Sequence, residues 1–237
     1  MFRDTIRGLD KVFRSDEYEN LIILVGGHSG TMKSTFSYQL MGEYLNKNAK
    51  NIGMYATLEQ TKPSLVKNLT NIGIPLNDKL HIADYNRTRE MYKHDGENAD
   101  FLELTERLVK TTKHEHGDAF TVFCLDSLNA LYTLMETDNE MDRRKRLYYF
   151  FKTLRDTGLT SFIITEIDKN VGAQGMSESF IADGVIELGV HEAIDDKKRY
   201  LEVHKMRHND HSMRRFVMEV TNKGLAVLGP SVDDRKA

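Results

Sequence analysis

The chain has 237 residues, 33 basic and 36 acidic side chains, a net charge of −3, and 40% apolar residues. That balance suits a soluble globular protein with a core of its own, and it argues against a general nucleic-acid coat or a polybasic membrane anchor. Three prolines exclude a Pro-rich linker, and one cysteine excludes an internal disulfide framework or a four-thiolate zinc site. Met1-Phe2-Arg3-Asp4-Thr5 is charged from its third residue, and the nearby apolar run Leu21 to Val25 is too short to span a bilayer. The expected location is therefore cytoplasmic, with no membrane segment.

Strand-like and helix-like segments alternate, the pattern of a mostly parallel sheet with helices on its faces. Leu21 to Val25 is uncharged, rich in β-branched residues and closed by Gly26-Gly27, which predicts a buried central strand. Ser34 to Leu45 carries Phe36, Leu40, Met41 and Leu45 at helical spacing. Asn51 to Thr57 is the next predicted strand, and Lys62 to Ile72 a helix with Leu65, Leu69 and Ile72 inward. A short strand, His81 to Tyr85, precedes a polar loop over Thr88 to Asp100. Ala99 to His114 is predicted helical, Ala119 to Leu125 a second buried strand, and Asp138 to Gly158 a long helix. Ser161 to Thr165 is again strand, followed by a glycine-containing loop over Asp168 to Glu178. Ile181 to Leu188 is a short strand. Arg199 to Met206 and Met213 to Val220 alternate with period two about a turn at Arg207 to Ser212. Leu225 to Leu228 adds one more strand. The expectation is a parallel α/β core with a C-terminal antiparallel extension, in one domain over 1–237.

The strongest chemical signal is Gly27-His28-Ser29-Gly30-Thr31-Met32-Lys33-Ser34, followed by Thr35. It follows a buried strand and opens a helix, the context of a phosphate-binding loop. Backbone N–H groups of such a loop point at phosphate oxygens, aided by the helix dipole. Lys33 supplies a mobile positive charge and Ser34 a hydroxyl ligand for Mg²⁺. Met32 departs from the G-x-x-x-x-G-K-[ST] pattern, which has glycine there. Its side chain either crowds the phosphates or points away, the latter if the residue already has helical φ and ψ.

Phe120 to Asp126 is an apolar run ending in a carboxylate, which places Asp126 at the C-terminal edge of a buried strand to hold Mg²⁺ beside Ser34. Cys124, inside that strand, reads as a buried inert thiol. Thr57-Leu58-Glu59-Gln60 ends the strand expected next to the phosphate-loop strand, where Glu59 could orient or deprotonate an attacking water.

Together these residues resemble the KaiC-like branch of the RecA-superfamily ATPases. The opening Ile6-Arg7-Gly8-Leu9-Asp10, Tyr55 to Gln60, Val122 to Leu131, Phe180 to Leu188, and Lys205-Met206-Arg207 with His211 are similar to family segments in the expected order, over about residues 6–228. The resemblance implies a RecA-like core, ATP with Mg²⁺, and a homo-oligomeric ring, often a hexamer, with nucleotide at subunit interfaces. It also implies Asp126 as the Walker B acid and Glu59 as the catalytic carboxylate. Lys205 and Arg207 would reach the γ-phosphate bound by the neighbouring subunit, where cations neutralise charge developing on the transferred phosphoryl group. Gln60 stands where the family commonly has the second of two acids, which favours slow turnover. No counterpart is found of the autophosphorylation segment that the doubled, two-domain form of this family carries in its second domain.

His114-Glu115-His116 and the set His204, His208, His211 do not read as metal sites; for the second set no fixed carboxylate or thiolate partner is evident. Loop 168–178 has Lys169 as a cation and no aromatic stacking platform before Phe180, which argues against DNA strand exchange. Three readings follow: a ring-forming regulatory or signalling ATPase, a nucleotide switch of negligible turnover that controls assembly with a partner protein, and a single-stranded-DNA recombination accessory factor.

Overall fold

The computed structural model describes residues 2–15, 19–85, 100–135, 139–167, 177–192 and 197–231. Its strands are β1 Ile22–Gly27, β2 Ile52–Thr57, β3 Leu80–Asp84, β4 Phe120–Asp126, β5 Thr160–Glu166, β6 Gly184–Glu192, β7 Lys197–Met206, β8 Phe216–Thr221 and β9 Gly224–Pro230. The helices are α1 Lys33–Lys47, α2 Lys62–Asn71, α3 Phe101–His116, α4 Leu128–Leu134 and α5 Glu140–Asp156. A short 3₁₀ turn covers Ser177–Phe180. The polar loop expected over 88–100 lies outside the described residues except for Asp100, as does most of the loop expected over 168–178.

The strands form one sheet in the order β3-β2-β4-β5-β1-β6-β7-β8-β9. From β3 to β6 all pairings are parallel, and from β6 to β9 they are antiparallel. Apolar residues run continuously through the central strands because both faces are covered. On one face Ile23 and Val25 join Phe36, Leu40 and Met41 of α1 and Leu65 and Leu69 of α2. On the other, Ile22 and Leu24 join Leu104 and Val109 of α3, Leu128 and Leu131 of α4, and Phe150, Phe151 and Leu154 of α5. Among the described residues no helix is long and apolar enough to cross a membrane.

Two predictions of position need correction. The strand carrying Glu59 does not adjoin β1, because β4 and β5 lie between β2 and β1. The turn after β7 runs on to residue 215, since β8 begins only at Phe216. The opening motif has a structural role of its own. Gly8 has φ 82°, and a Cβ there would stand 1.9 Å from the Val227 carbonyl oxygen, so only glycine lets this segment lie against β9.

After β1 the chain turns onto the α1 face. The loop that follows β1 therefore lies at the carboxyl ends of the parallel strands, where ligands bind in open α/β sheets. The other end of the sheet is closed by Asp183. Its carboxylate accepts from Ile22 N at 3.0 Å, Arg155 Nη2 at 3.0 Å and Arg207 Nη1 at 3.2 Å. Its backbone carbonyl accepts from Arg207 N at 2.8 Å. One side chain thus joins the start of β1, helix α5 and the end of β7. Asp183→Ala should lower stability by about 2–4 kcal/mol, because a buried backbone donor and two arginines lose their acceptor. Urea unfolding measures this; a loss below about 0.5 kcal/mol, the range of an ordinary surface change, would show that the hub is dispensable.

Candidate functional site

The loop between β1 and α1 is built by close approach and by hydrogen bonds within itself. A Cβ on Gly27 would stand 2.1 Å from the Leu188 carbonyl oxygen, so a side chain there collides with β6. Thr31 Oγ1 donates to the His28 carbonyl at 2.8 Å, and Lys33 Nζ donates to the carbonyls of Gly27 at 2.8 Å and His28 at 2.9 Å. Ser34 and Thr35 stand in the first turn of α1. Met32 is not helical, as one expectation for it required. Its φ of 74° and ψ of 25° are left-handed, which explains why glycine is usual there and costs a methionine about 1–2 kcal/mol. Its side chain is partly buried against the core cluster that includes α1.

Asp126 ends β4 with 2% of its surface exposed. Its Oδ2 accepts from the Tyr55 hydroxyl at 2.6 Å, and the Ser34 side chain is a second hydrogen-bond partner. Burial holds this carboxyl above the usual carboxylate range, against those two bonds. The same burial, with Asp126 next to it, pushes the Tyr55 hydroxyl well up. Cys124 is fully buried, and burial raises its thiol far from thiolate chemistry. Leu58 N donates to the Asp126 carbonyl at 2.6 Å, tying the end of β2 to that of β4. Ser127 caps α4 and donates its hydroxyl to Glu59 Oε1, so Glu59 stands beside Asp126 although its strand is far from β1. Gln60 turns outward, its Oε1 accepting from Asn68 Nδ2 at 3.3 Å.

Two contributors were not found in the sequence. Glu166 ends β5 in register with Gly27. Burial lowers the Lys33 ammonium's pKa, and Glu166, Glu59 and Asp126, in that order, oppose the shift. Asn129 on α4 holds β5 in place: its Oδ1 accepts from Glu166 N at 2.7 Å and from Thr165 Oγ1 at 3.1 Å. Helix α4 itself was missed, since its seven residues are too short for a helical period to declare itself. Tyr132, near its other end, donates to Glu178 Oε1 at 2.5 Å. The helix therefore links the Asp126 end of the sheet to the turn Ser177–Phe180.

Lys205 and Arg207 lie elsewhere. Gly184 pairs both with Ile23 of β1 and with Met206, which puts the end of β7 at the edge opposite the phosphate loop. From Ile23 to Gly27 that is about 13 Å along the strand. Lys205 Nζ donates to the carbonyls of Ser179 at 2.9 Å and Ala182 at 2.6 Å, and Arg207 pairs with Asp183. His211 bridges to Phe13, beyond β7. His204 does have a fixed carboxylate partner, contrary to the sequence reading: its Nε2 lies 2.8 Å from Glu187 Oε2.

One ammonium among three carboxylates is a poor receptor for a free polyphosphate and a good one for its complex with a divalent cation. The donors present would fit Mg²⁺, a hard cation: the desolvated carboxylate of Asp126 and the hydroxyl of Ser34. Among the described residues no group of three or more His, Cys, Asp and Glu side chains could hold a metal ion.

A phosphate loop at the carboxyl edge of a mostly parallel sheet, with a buried strand-end carboxylate beside it, defines a RecA-like P-loop nucleotide-binding protein. Comparison with known proteins places it more closely. The family model described as ATPase: KaiC matches residues 3–232, and the chain belongs to that family. A UPF0273 protein of Thermotoga maritima is 28% identical, over 94% of this chain and 93% of its own length. The circadian clock oscillator protein KaiC of Parathermosynechococcus lividus is 25% identical over 86% of this chain, which matches 38% of the clock protein's length. The solved structure of a KaiC-like protein from Pyrococcus horikoshii superposes with a TM-score of 0.75 at 26% identity, covering 94% of this chain and 96% of that one.

Asp126 provides a prediction with a definite sign. Its carboxyl is held above the ordinary 3.8, so the unfolded chain releases this proton first and the buried charge disfavours the fold as pH rises past 3.8. Asp126→Asn should therefore be at least as stable as the unsubstituted chain near neutral pH without nucleotide, with an advantage that shrinks as pH falls toward 3.8. Urea unfolding at several pH values checks this, and a clear loss of stability at neutral pH contradicts it.

Proposed function

We propose that this chain is an Mg²⁺-dependent ATPase, one RecA-like domain acting in a ring-shaped homo-oligomer, often hexameric in this family, with a regulatory or signalling role in the cytoplasm. The observation that carries the reading is the separation of the two cation sets across the sheet. Lys33, Ser34, Asp126 and Glu59 gather at the carboxyl ends of the strands, while Lys205 and Arg207 lie at the other edge. In an oligomer that stacks one edge against the other, each site is completed by the next subunit.

Each residue then has a defined task. Backbone N–H groups from Gly27 through Thr35 cradle the β- and γ-phosphates. Lys33 exchanges its bonds to the Gly27 and His28 carbonyls for phosphate oxygens. Ser34 and Asp126 hold Mg²⁺, which when bound neutralises phosphate charge and relieves the desolvated carboxylate. Glu59, oriented by Ser127, accepts the proton of the attacking water. Lys205 and Arg207 of the adjacent copy neutralise the charge that builds on the transferred phosphoryl group. Nucleic acid has no part in this account.

The second reading, a nucleotide switch of negligible turnover acting on a partner protein, is favoured by Gln60. Its amide faces Asn68, so Glu59 has no second carboxylate beside it from that motif. Phosphate release from Mg-ATP over a wide range of protein concentration separates the readings, with Lys33→Ala as the blank. The ATPase reading expects specific activity that rises with concentration and is absent from the blank. Release no greater than the blank, with Mg-ATP still bound, would establish the switch.

A further inference from the structure

Strands β6 and β7 carry a side-chain network that the nucleotide site does not use. Tyr200 donates its hydroxyl to Glu187 Oε1 at 2.6 Å, and His204 Nε2 lies 2.8 Å from Glu187 Oε2. The other ring nitrogen of His204 faces Glu202 Oε1 at 4.0 Å. Arg215 Nε donates to Glu202 Oε2 at 2.6 Å, and its guanidinium stands 4.7 Å over the Tyr200 ring. Gly189 makes room for that ring, since a Cβ there would lie 2.3 Å from it. The side chains of His204, Glu187 and Glu202 are only 14%, 17% and 18% exposed.

This arrangement selects a protonation state. A neutral imidazole offers one N–H and one lone pair, and an ionised carboxylate only accepts. Nε2 of His204 is within hydrogen-bond distance of Glu187, and Nδ1 faces Glu202 at a longer, electrostatic distance, so both carboxylates favour the imidazolium. With it, Glu187 and Glu202 are balanced by His204 and Arg215.

His204 also has a special place in its strand. Lys205 pairs with Val185 and Val203 with Ile186, leaving His204 as the extra residue of a β-bulge. A bulge re-aims the side chains beside it. The next residue is Lys205, whose ammonium rests on the Ser179 and Ala182 carbonyls.

We propose that His204 is a positioning residue for Lys205: clamped as an imidazolium between Glu187 and Glu202, it holds the bulge and so sets the direction in which Lys205 leaves the sheet. The inference rests on the reading of Lys205 as a cation delivered to a neighbouring subunit. The groups that face the ring are Glu187 from β6, Glu202 from its own strand and Arg215 at the approach to β8, with Tyr200 acting through Glu187.

The clamp has two pH limits. The hydrogen bond that His204 donates to Glu187 raises the His204 pKa above the ordinary 6.5, against burial. That contribution is complete below 6.5 and is lost as pH rises through the raised folded value. The bond to His204 lowers the Glu187 carboxyl below 4.5, also against burial. That contribution is present above 4.5 and is lost as pH falls through the lowered value.

The test combines an NMR titration of the His204 ring in the full chain with the pH profile of phosphate release. His204 should titrate above 6.5 and move back toward it in Glu187→Gln. Release should fall across the His204 titration in the unsubstituted chain. In His204→Gln it should be about tenfold lower and flat over that interval, as expected when a reacting group is slightly misaimed. Titration at or below 6.5 overturns the clamp. A high titration point together with an unchanged profile in His204→Gln leaves the clamp but refutes the positioning role. A chain that releases no phosphate at any pH defeats the ATPase reading instead. Mg-ATP-dependent assembly, followed by light scattering over the same pH range, then makes the same comparison. Loss of assembly that tracks the His204 titration and is absent from His204→Gln supports the proposal, and identical profiles overturn it.

Discussion

Asp126 is an ionisable side chain at the end of a central strand with almost no contact with water, and its hydrogen bonds come from the hydroxyls of Tyr55 and Ser34. Two hydroxyls only partly compensate a buried carboxylate, and burial holds its pKa up against them. A divalent cation would compensate it well. Much of the surrounding architecture holds this uncompensated charge at the correct depth: β4 carries it, Tyr55 reaches across from β2, and α1 brings Ser34. Lys33, the nearby cation, is itself buried and faces three carboxylates, which offset part of its charge. In the proposed ATPase, stability withheld at this point would be available as affinity for the metal–nucleotide complex.

The sheet separates the remaining tasks by direction. Its carboxyl edge gathers the phosphate loop, Asp126, Glu59 and Glu166. Its opposite edge gathers Asp183, Arg155, Lys205 and Arg207 around carbonyls and one carboxylate. Helix α4 connects the two regions, with Ser127 on Glu59 and Asn129 on β5 near one end and Tyr132 on Glu178 toward the other. The antiparallel strands place the second set at the opposite end of the sheet from the phosphate loop of the same chain.

Much of this was legible in the sequence because the signals are local. A strand closed by Gly26-Gly27, a loop ending in Lys33-Ser34 and an apolar run ending in Asp126 each declare themselves within about ten residues. What remained hidden depends on tertiary placement. Strand order cannot be read from strands that all look buried, so β2 was set beside β1 when β4 and β5 intervene. Glu166 follows an ordinary apolar strand and gains its meaning from register with Gly27. Met32 reads as a departure from a glycine pattern, but only the backbone shows it in a left-handed conformation with its side chain partly buried. The partners His204 and Glu187 sit on different strands, and a bulge sets their approach.

The central claim is that a working site takes its phosphate loop from one copy and Lys205 and Arg207 from another. Mixing two inactive variants tests it most directly. Lys33→Ala keeps the Arg207 edge but lacks the loop lysine, and Arg207→Ala keeps the loop but lacks the arginine. If the site is shared, heteromers contain interfaces with both intact halves, and the mixture releases phosphate from Mg-ATP faster than the sum of the separate variants. If the mixture never exceeds that sum at any ratio, while the unsubstituted chain is active and the variants exchange subunits, Arg207 acts within its own subunit and the account is wrong.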